Sequence, residues 1–126
     1  MNKLILILVS ILFALLLSCS DSKPKNLTIP QGATVLILGD SLSYGTGANA
    51  GEDYPSLLAK ATSWNIINAG ISGDTTAGGL ERLPELIAKH QPKLLIVELG
   101  GNDFLQRLPQ NQTIENLKTI GAVLDN

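Results

Sequence analysis

The sequence predicts an α/β domain built as a three-layer α/β/α sandwich around a parallel sheet. Short apolar runs rich in β-branched residues alternate with segments in which apolar residues recur at helical spacing. The runs hold almost no polar residue, which is typical of strands that helices cover on both faces. The resulting order over residues 33–126, β-α-β-α-β-α, implies right-handed crossovers between parallel strands.

Three strands are predicted in the sheet. Residues 33–38 and 93–99 are apolar at nearly every position, and residues 64–67 form a weaker candidate between them. We expect so small a sheet to leave at least one edge unpaired.

Three helices are predicted between and after the strands. The first covers residues 54–62, where Pro55 suits a first helical turn. The second covers residues 76–90, and we expect Pro84 to kink or restart it. The third covers residues 113–124 and would present four apolar side chains on one face: Ile114, Leu117, Ile120 and Leu124.

Residues 1–18 are predicted to be an export signal. Lys3 precedes an apolar run of 14 residues, which is shorter than the roughly 20 that span a membrane. The run ends at Ser18-Cys19, which resembles the lipobox of bacterial lipoproteins, and this resemblance implies a lipid anchor at Cys19. An ordinary cleaved signal is the alternative. We expect a bacterial protein that is exported, either periplasmic or membrane-anchored, with residues 19–32 as a polar tether.

Composition excludes several classes of partner and site. The net charge is −2 and no basic patch is present, so the sequence does not predict nucleic-acid binding. Cys19 is the single cysteine, which leaves no intrachain disulfide and no cysteine metal cluster. The sequence gives no indication of oligomeric state.

The loops after the three predicted strands carry the chemistry that the sequence suggests. In a parallel sheet, ligands bind at the carboxyl ends of the strands. Residues 39–43, 68–74 and 100–103 follow those ends and are rich in glycine and short polar side chains. Acyl transfer needs a nucleophile beside donors that point at the developing oxyanion. Ser41 can offer a hydroxyl and an N–H, Gly70 a backbone N–H and Asn102 a side-chain amide.

These loops resemble a known family. The segments "GDSLS" from Gly39, "NAGISGDTT" around Gly70 and "GGND" around Asn102 resemble the first three sequence blocks of the SGNH, or GDSL-type, hydrolases. The text "PELIAKHQPKLLIVELGGND" resembles the exported thioesterase, arylesterase and lysophospholipase branch. The resemblance implies that Ser41 is the nucleophile and that Ser41, Gly70 and Asn102 form the oxyanion hole. It implies a small acyl ester or thioester substrate, with no metal or cofactor.

Structural roles are the alternative for each of these residues. Ser41 taken alone would be an ordinary helix cap, and Gly70 could supply a positive φ in a turn, a role that we favour for Gly100. Three acidic residues are expected to be turn and cap residues rather than acids in a mechanism: Asp40, Asp74 and Asp103. Four aromatic residues are candidates for the core or a pocket wall, with the core favoured: Tyr44, Tyr54, Trp64 and Phe104.

The expected base is missing from these 126 residues. The family's histidine follows an aspartate by three positions, and no such pair occurs in this sequence, whose single histidine is His90. His90 precedes the third strand, so it should lie roughly 20 Å from Ser41, whereas a base needs about 3 Å. The 126 residues are therefore interpreted as the N-terminal part of a longer hydrolase or as a diverged product. We expect them to fold poorly and to hydrolyse esters barely or not at all.

Two other functions are weighed. A non-catalytic surface lipoprotein could use the same fold to bind acyl chains or glycans. Residues 45–50 fit the letters G-x-G-x-x-A of the dinucleotide fingerprint, but they begin seven residues after Leu38, whereas the fingerprint follows its strand directly. No Walker lysine is present either, so nucleotide binding is disfavoured.

Overall fold

The computed structural model describes residues 28–124. The predicted signal peptide, the proposed lipidation site Cys19 and most of the predicted tether lie outside the described residues. No helix between residues 28 and 124 combines the length and the apolar character needed to cross a membrane.

The sheet of the described residues has three parallel strands in the order β2-β1-β3. Gly39, the last residue of β1, pairs with Gly70 of β2 and with Glu98 of β3, so the carboxyl ends meet at one edge. The predicted parallel α/β fold is confirmed. The strands are β1 (Thr34–Gly39), β2 (Asn65–Gly70) and β3 (Leu94–Glu98).

The helices agree closely with the prediction in the middle of the chain. The second and third have the predicted bounds, but the expected restart at Pro84 is wrong, because one helix runs through that exposed residue. Two short helices after β1 and β3 were not predicted separately. The helices are α1 (Ser41–Tyr44), α2 (Tyr54–Thr62), α3 (Thr76–His90), α4 (Gly101–Leu105) and α5 (Gln110–Ala122).

Strand β2 is longer than the sequence suggested. Asn68, Ala69 and Gly70 were expected in a loop, but they pair in register with the end of β1. Asparagine and glycine are poor strand formers, and here the pairing with a fully buried neighbour overrides their propensity. Gly70 is therefore the last residue of a strand.

The core lies on both faces of β1. On one face, Leu36 and Leu38 pack with Leu83 of α3 and Ile120 of α5, and all four are fully buried. On the other face, which α1 and α2 cover, Val35 and Ile37 of the same strand are also fully buried. Each such side chain contributes about 1.5–3 kcal/mol on burial. The chain thus forms the three predicted layers.

Helix α5 buries a narrower stripe than its sequence pattern suggested. Ile120 is fully buried, but Ile114 is 43% exposed, and Asn116 occupies a buried position instead. The predicted unpaired edge is present, since β2 and β3 each have a neighbour on one side only within the described sheet.

Candidate active site

Ser41 begins α1 directly after the central strand. The Asp40 carboxylate caps this helix by accepting a hydrogen bond of 3.0 Å from the N–H of Leu42. Neither the hydroxyl nor the N–H of Ser41 has a hydrogen-bond partner among residues 28–124. Ser41 thus presents an unengaged nucleophilic oxygen and an unengaged donor on the same residue.

Two glycines allow α1 to lie directly on the sheet. A Cβ at Gly70 would lie 2.7 Å from the carbonyl carbon of Ser43 and 2.8 Å from its Cβ. A Cβ at Gly39 would overlap the hydroxyl of Ser43. The position of Ser41 therefore depends on the absence of side chains at the ends of β1 and β2.

Gly70 has this packing role and does not supply a free donor. Its N–H donates to Asn68 Oδ1 at 3.0 Å, and its backbone is extended rather than left-handed, so the alternative of a positive φ at Gly70 is wrong. Gly73 lies in the following loop with φ +80°, with open space around its Cα and with no acceptor for its N–H in the described chain. Among the described residues, the N–H groups of Ser72 and Gly73 are the ones in this loop without an acceptor, and Gly73 has no side chain to obstruct a ligand.

Asn102 joins the three loops. Its Nδ2 donates to Asp40 Oδ2 at 3.1 Å and to the backbone oxygen of Asp74 at 2.9 Å. The structure thus brings Asn102 to the loop that carries Ser41 and to the loop that carries Gly73, as the strand order predicts. Because both amide hydrogens are engaged, one of these bonds must be exchanged before Asn102 donates to a substrate oxygen.

Asp40 and Asp74 are cap and turn residues, as predicted, whereas Asp103 is buried within α4 and links three helices. Asp40 caps α1, and Asp74 Oδ1 accepts a hydrogen bond of 3.0 Å from the N–H of Thr75. Asp103 reaches from α4 to the start of α3, where it accepts from the N–H of Thr76 at 2.9 Å, and also from the hydroxyls of Thr76 and Thr113. Burial opposes the charge of Asp103, but these hydrogen bonds outweigh it and hold the pKa of Asp103 below its usual value.

A partly buried polar cluster beside α1, in which only Ser43 is fully buried, was not predicted from the sequence. The Ser43 hydroxyl donates to Glu98 Oε2 at 3.0 Å and lies 2.6 Å from the hydroxyl of Tyr54. Since Ser43 has one proton to give, Tyr54 is the donor in the second bond. Burial raises the pKa of Tyr54, and the nearby charges of Glu98 and Asp40 add to this, against the hydrogen bond with Ser43. The single acid at the end of an otherwise apolar strand was the signal available in the sequence.

A mainly apolar cavity lies between α4 and the start of α5. Its volume is about 770 Å³, and its lining includes Phe104, Leu105, Leu108 and Arg107. The prediction that the aromatic residues favour the core is wrong for Phe104, which is 83% exposed, and for Tyr44, which is 67% exposed. Phe104 instead lines the cavity, together with Gly100 at the end of the loop after β3.

His90 lies near the amino ends of the strands, whereas Ser41 lies at their carboxyl ends, as predicted. It is the last residue of α3, and β3 then starts with Leu94, which pairs with Val35 near the beginning of β1. In the described part of the chain, no group of three or more histidine, cysteine, aspartate or glutamate side chains could hold a metal ion.

The segment 45–50 does not form a dinucleotide loop. Gly45 ends α1 in the left-handed conformation, with φ +97°, so a helix separates this segment from β1.

The chain is similar in sequence to bacterial esterases and thioesterases. It is 47% identical over 89 residues to thioesterase 1/protease 1/lysophospholipase L1 of Escherichia coli K12, which covers 69% of this chain and 43% of that protein. It is 43% identical over 98 residues to an arylesterase of Vibrio mimicus, which covers 73% of this chain and 49% of that protein. The chain thus spans less than half the length of these relatives.

Solved structures agree with this result. The SGNH-hydrolase family esterase AlinE4 superposes with a TM-score of 0.67 at 42% identity, over 74% of this chain and 53% of that chain. A crystal structure of TesA gives a TM-score of 0.67 at 41% identity, over 69% of this chain and 51% of that chain. The model of the "GDSL-like Lipase/Acylhydrolase family" matches residues 37–125. A match over most of the sequence, on the fold and loops described above, shows that the chain belongs to the GDSL-like lipase/acylhydrolase family.

Proposed function

We propose that the protein hydrolyses carboxylic esters or thioesters through an acyl intermediate on Ser41. The observation that carries the proposal is the free hydroxyl and free N–H of Ser41 at the point where Asn102 joins the loops after all three strands. The names of the relatives, thioesterase, esterase and arylesterase, support the same class of reaction.

The reaction begins when Ser41 Oγ attacks the acyl carbonyl carbon and its proton passes to a base. The carbonyl oxygen becomes an oxyanion, to which the N–H groups of Ser41 and Gly73 donate, and Asn102 contributes by exchanging one of its internal bonds. Removal of one such donor typically costs about 3–4 kcal/mol in the transition state. The alcohol or thiol leaves with a proton, and water then attacks the acyl-serine and releases the acid. Gly73 takes the place that the sequence gave to Gly70.

The base is proposed to come from outside residues 1–126. The proton of Ser41 needs an acceptor within about 3 Å, directly or through one water. His90, the single histidine of the sequence, is at the far edge of the sheet, and Ser41 Oγ donates to no side chain of residues 28–124. We therefore expect residues 1–126 alone to lack turnover. The family resemblance implies that the base is a histidine with an aspartate three residues before it.

The cavity beside α4 supports an acyl substrate of the arylesterase, acyl-CoA thioesterase or lysophospholipase type. Its wall is mainly apolar, through Phe104, Leu105 and Leu108, and it includes Gly100, which lies two residues before Asn102 in the sequence. Burial of an alkyl chain there would contribute about 0.8 kcal/mol for each buried methylene.

We also propose that the protein is exported and anchored by a lipid on Cys19. The support is the sequence pattern alone, an apolar run of 14 residues followed by Ser18-Cys19. Metabolic labelling with palmitate in the native bacterium would give a labelled protein that is lost in Cys19→Ala. An unlabelled, soluble periplasmic protein would contradict the anchor and leave the catalytic proposal intact.

The catalytic proposal is tested with a serine-reactive fluorophosphonate and p-nitrophenyl esters. The sample is the product of the complete reading frame that contains these residues, beside residues 1–126 alone. We expect the complete product to be labelled and active, Ser41→Ala to be neither, and Ser56→Ala on α2 to behave like wild type. Full activity in Ser41→Ala would overturn the proposal. Ordinary turnover by residues 1–126 alone would show that the base lies within them.

The second candidate is a surface protein that binds acyl chains or glycans without catalysis. The engagement of both amide hydrogens of Asn102 within the chain favours it. Such a protein would bind a fatty acid in calorimetry equally well before and after Ser41→Ala, and would not be labelled by fluorophosphonate. A shift in melting temperature with NAD or ATP would instead indicate nucleotide binding.

A further inference from the structure

Arg82 of α3 reaches over the carboxyl ends of two strands. Its Nη1 donates to the backbone oxygen of Ala69 at 2.6 Å, and its Nη2 donates to the backbone oxygen of Gly39 at 3.1 Å. Its Nε donates to Asp74 Oδ2 at 2.9 Å, and Nη2 lies 2.7 Å from the same oxygen. One guanidinium group therefore binds β1, β2 and the loop after β2.

The residues that Arg82 contacts are close in the sequence to the groups that the proposed reaction uses. Gly39 is two residues before Ser41, and Asp74 directly follows Gly73. The backbone oxygen of Asp74 accepts the hydrogen bond from Asn102. A shift of Arg82 would therefore move the N–H groups of Ser41 and Gly73 relative to each other, and Asn102 with them.

The charge of Arg82 is already paired. The side chains of Arg82 and Asp74 are 20% and 11% exposed, and their ion pair is short. A charge that is neutralised in this way adds little direct stabilisation to an oxyanion, so the effect of Arg82 on a reaction would come through geometry. Only arginine offers planar donors in the fixed directions of these three acceptors, and lysine is a point charge that cannot reproduce them.

We propose that Arg82 is a positioning residue that sets the spacing between the backbone donors at Ser41 and Gly73. This inference rests on the proposed function of Ser41 and assigns a role to a side chain that contacts no substrate. Misplacement of reacting groups by about 1 Å can lower the rate about 100-fold, so the loss of some of the Arg82 hydrogen bonds should lower kcat measurably.

The test compares Arg82→Lys, Asp74→Asn and the double variant in the complete reading-frame product. Asp74→Asn keeps Arg82 and the backbone oxygen that Asn102 uses, but removes the carboxylate. Lys118→Gln is the control, because it breaks an exposed ion pair of 2.9 Å with Glu115 on α5, far from the site. For each protein, kcat and KM with p-nitrophenyl butyrate are measured per fluorophosphonate-labelled serine, well below the melting temperature.

We expect each single variant to lower kcat about tenfold or more, with KM changed less than about twofold. The double variant should be no slower than the slower single variant, because both break one unit. A purely structural role would lower the melting temperature and leave kcat per labelled serine unchanged, and that result would overturn the proposal. If Arg82→Lys does not fold, the kcat of Asp74→Asn decides. If Ser41→Ala hydrolyses as fast as wild type, the proposed function itself fails and the positioning role with it.

Discussion

Asp40 and Asn102 are joined by a hydrogen bond of 3.1 Å between Oδ2 and Nδ2, across 62 positions of sequence. The other oxygen of the same carboxylate caps α1 through the N–H of Leu42. One side chain therefore fixes both the start of the helix that carries Ser41 and the orientation of the Asn102 amide. The acid in the "GDS" segment is more than an isolated cap, because it couples two loops of the site.

The first prediction concerns this coupling. Asp40→Asn keeps one side-chain oxygen, which can accept from Leu42 or from Asn102 but no longer from both with separate oxygens. Asparagine is as good a cap as aspartate, so we expect the free energy of unfolding to fall by no more than about 1 kcal/mol. We expect kcat to fall about tenfold, because Asn102 loses its orientation.

The measurement is urea unfolding together with ester turnover in the complete reading-frame product. Asp53→Asn is the matched control, because Asp53 caps α2 through the N–H of Ser56 at 2.9 Å. It should leave kcat unchanged. An Asp40→Asn protein with wild-type kcat would show that the contact with Asn102 has no part in the reaction.

The second prediction separates the two glycines of the loop region. Gly70→Ala would force a Cβ to within 2.8 Å of Ser43, so we expect it to lower the free energy of unfolding by about 3 kcal/mol. The Cβ of alanine at position 73 would contact no other atom. The backbone φ of +80° is unfavourable for alanine, however, and should lower the free energy of unfolding by about 1–2 kcal/mol. We expect this smaller loss to be accompanied by a lower kcat, because the strain moves the N–H at Gly73.

Urea unfolding and turnover of the two variants check this assignment. If Gly70→Ala folds as stably as wild type, α1 does not pack on the sheet as described. If Gly73→Ala keeps wild-type kcat while Gly70→Ala is stable but inactive, the backbone donor is Gly70 after all.

The third prediction concerns acid stability. The pKa of Asp103 is held below its usual value in the folded protein, so its charge stabilises the fold above the unfolded pKa of about 4. This contribution is lost as pH falls from there through the folded pKa. Asp103→Asn should remove it and lower the free energy of unfolding at pH 7 by about 2 kcal/mol, the usual value for a hydrogen-bonded charge.

Urea unfolding of both proteins from pH 7 to pH 2 measures this difference. The stabilities of wild type and Asp103→Asn should converge as the pH falls. A constant difference across the range would show that the charge of Asp103 contributes nothing, and that its hydrogen bonds act equally well in neutral form.

The fourth prediction concerns His90. The residue ends α3 at the edge of the sheet away from Ser41, so we expect His90→Gln to leave kcat, KM and fluorophosphonate labelling within about twofold of wild type. A loss of labelling on this substitution would mean that His90 reaches the nucleophile, and would contradict both the strand order and the proposed external base.

The regular elements could be predicted because their signals are local. The bounds of α2 and α3 follow from helical periodicity and from Pro55 at a first turn, and Ser41 follows the most apolar strand of the chain. The placement of Asn102 opposite the Ser41 loop required only a parallel sheet whose carboxyl ends meet at one edge.

The finer parts of the site could not be predicted because they depend on contacts between distant residues. The end of β2 is set by pairing with β1 rather than by its own Asn68 and Gly70, so the sequence placed Gly70 in a loop, whereas the structure places it in the strand with its N–H bonded to Asn68. Arg82 binds Gly39 across 43 positions, and no local pattern distinguishes it from a solvent-exposed helix residue. The exposure of Phe104 likewise depends on the cavity beside α4.

The central position of β1 in the sheet has a consequence for the order of events during synthesis. Ser41 leaves the ribosome early, but Asn102, which orders its surroundings through Asp40, follows 62 residues after that aspartate. At about 5–20 residues per second, this interval is about 3–12 s. During it, β1 has no partner on the side of β3, and the loop of Ser41 has no contact with α4. The newly made chain therefore carries Ser41 for seconds without the contact between Asp40 and Asn102, which can form only after α4 has been made.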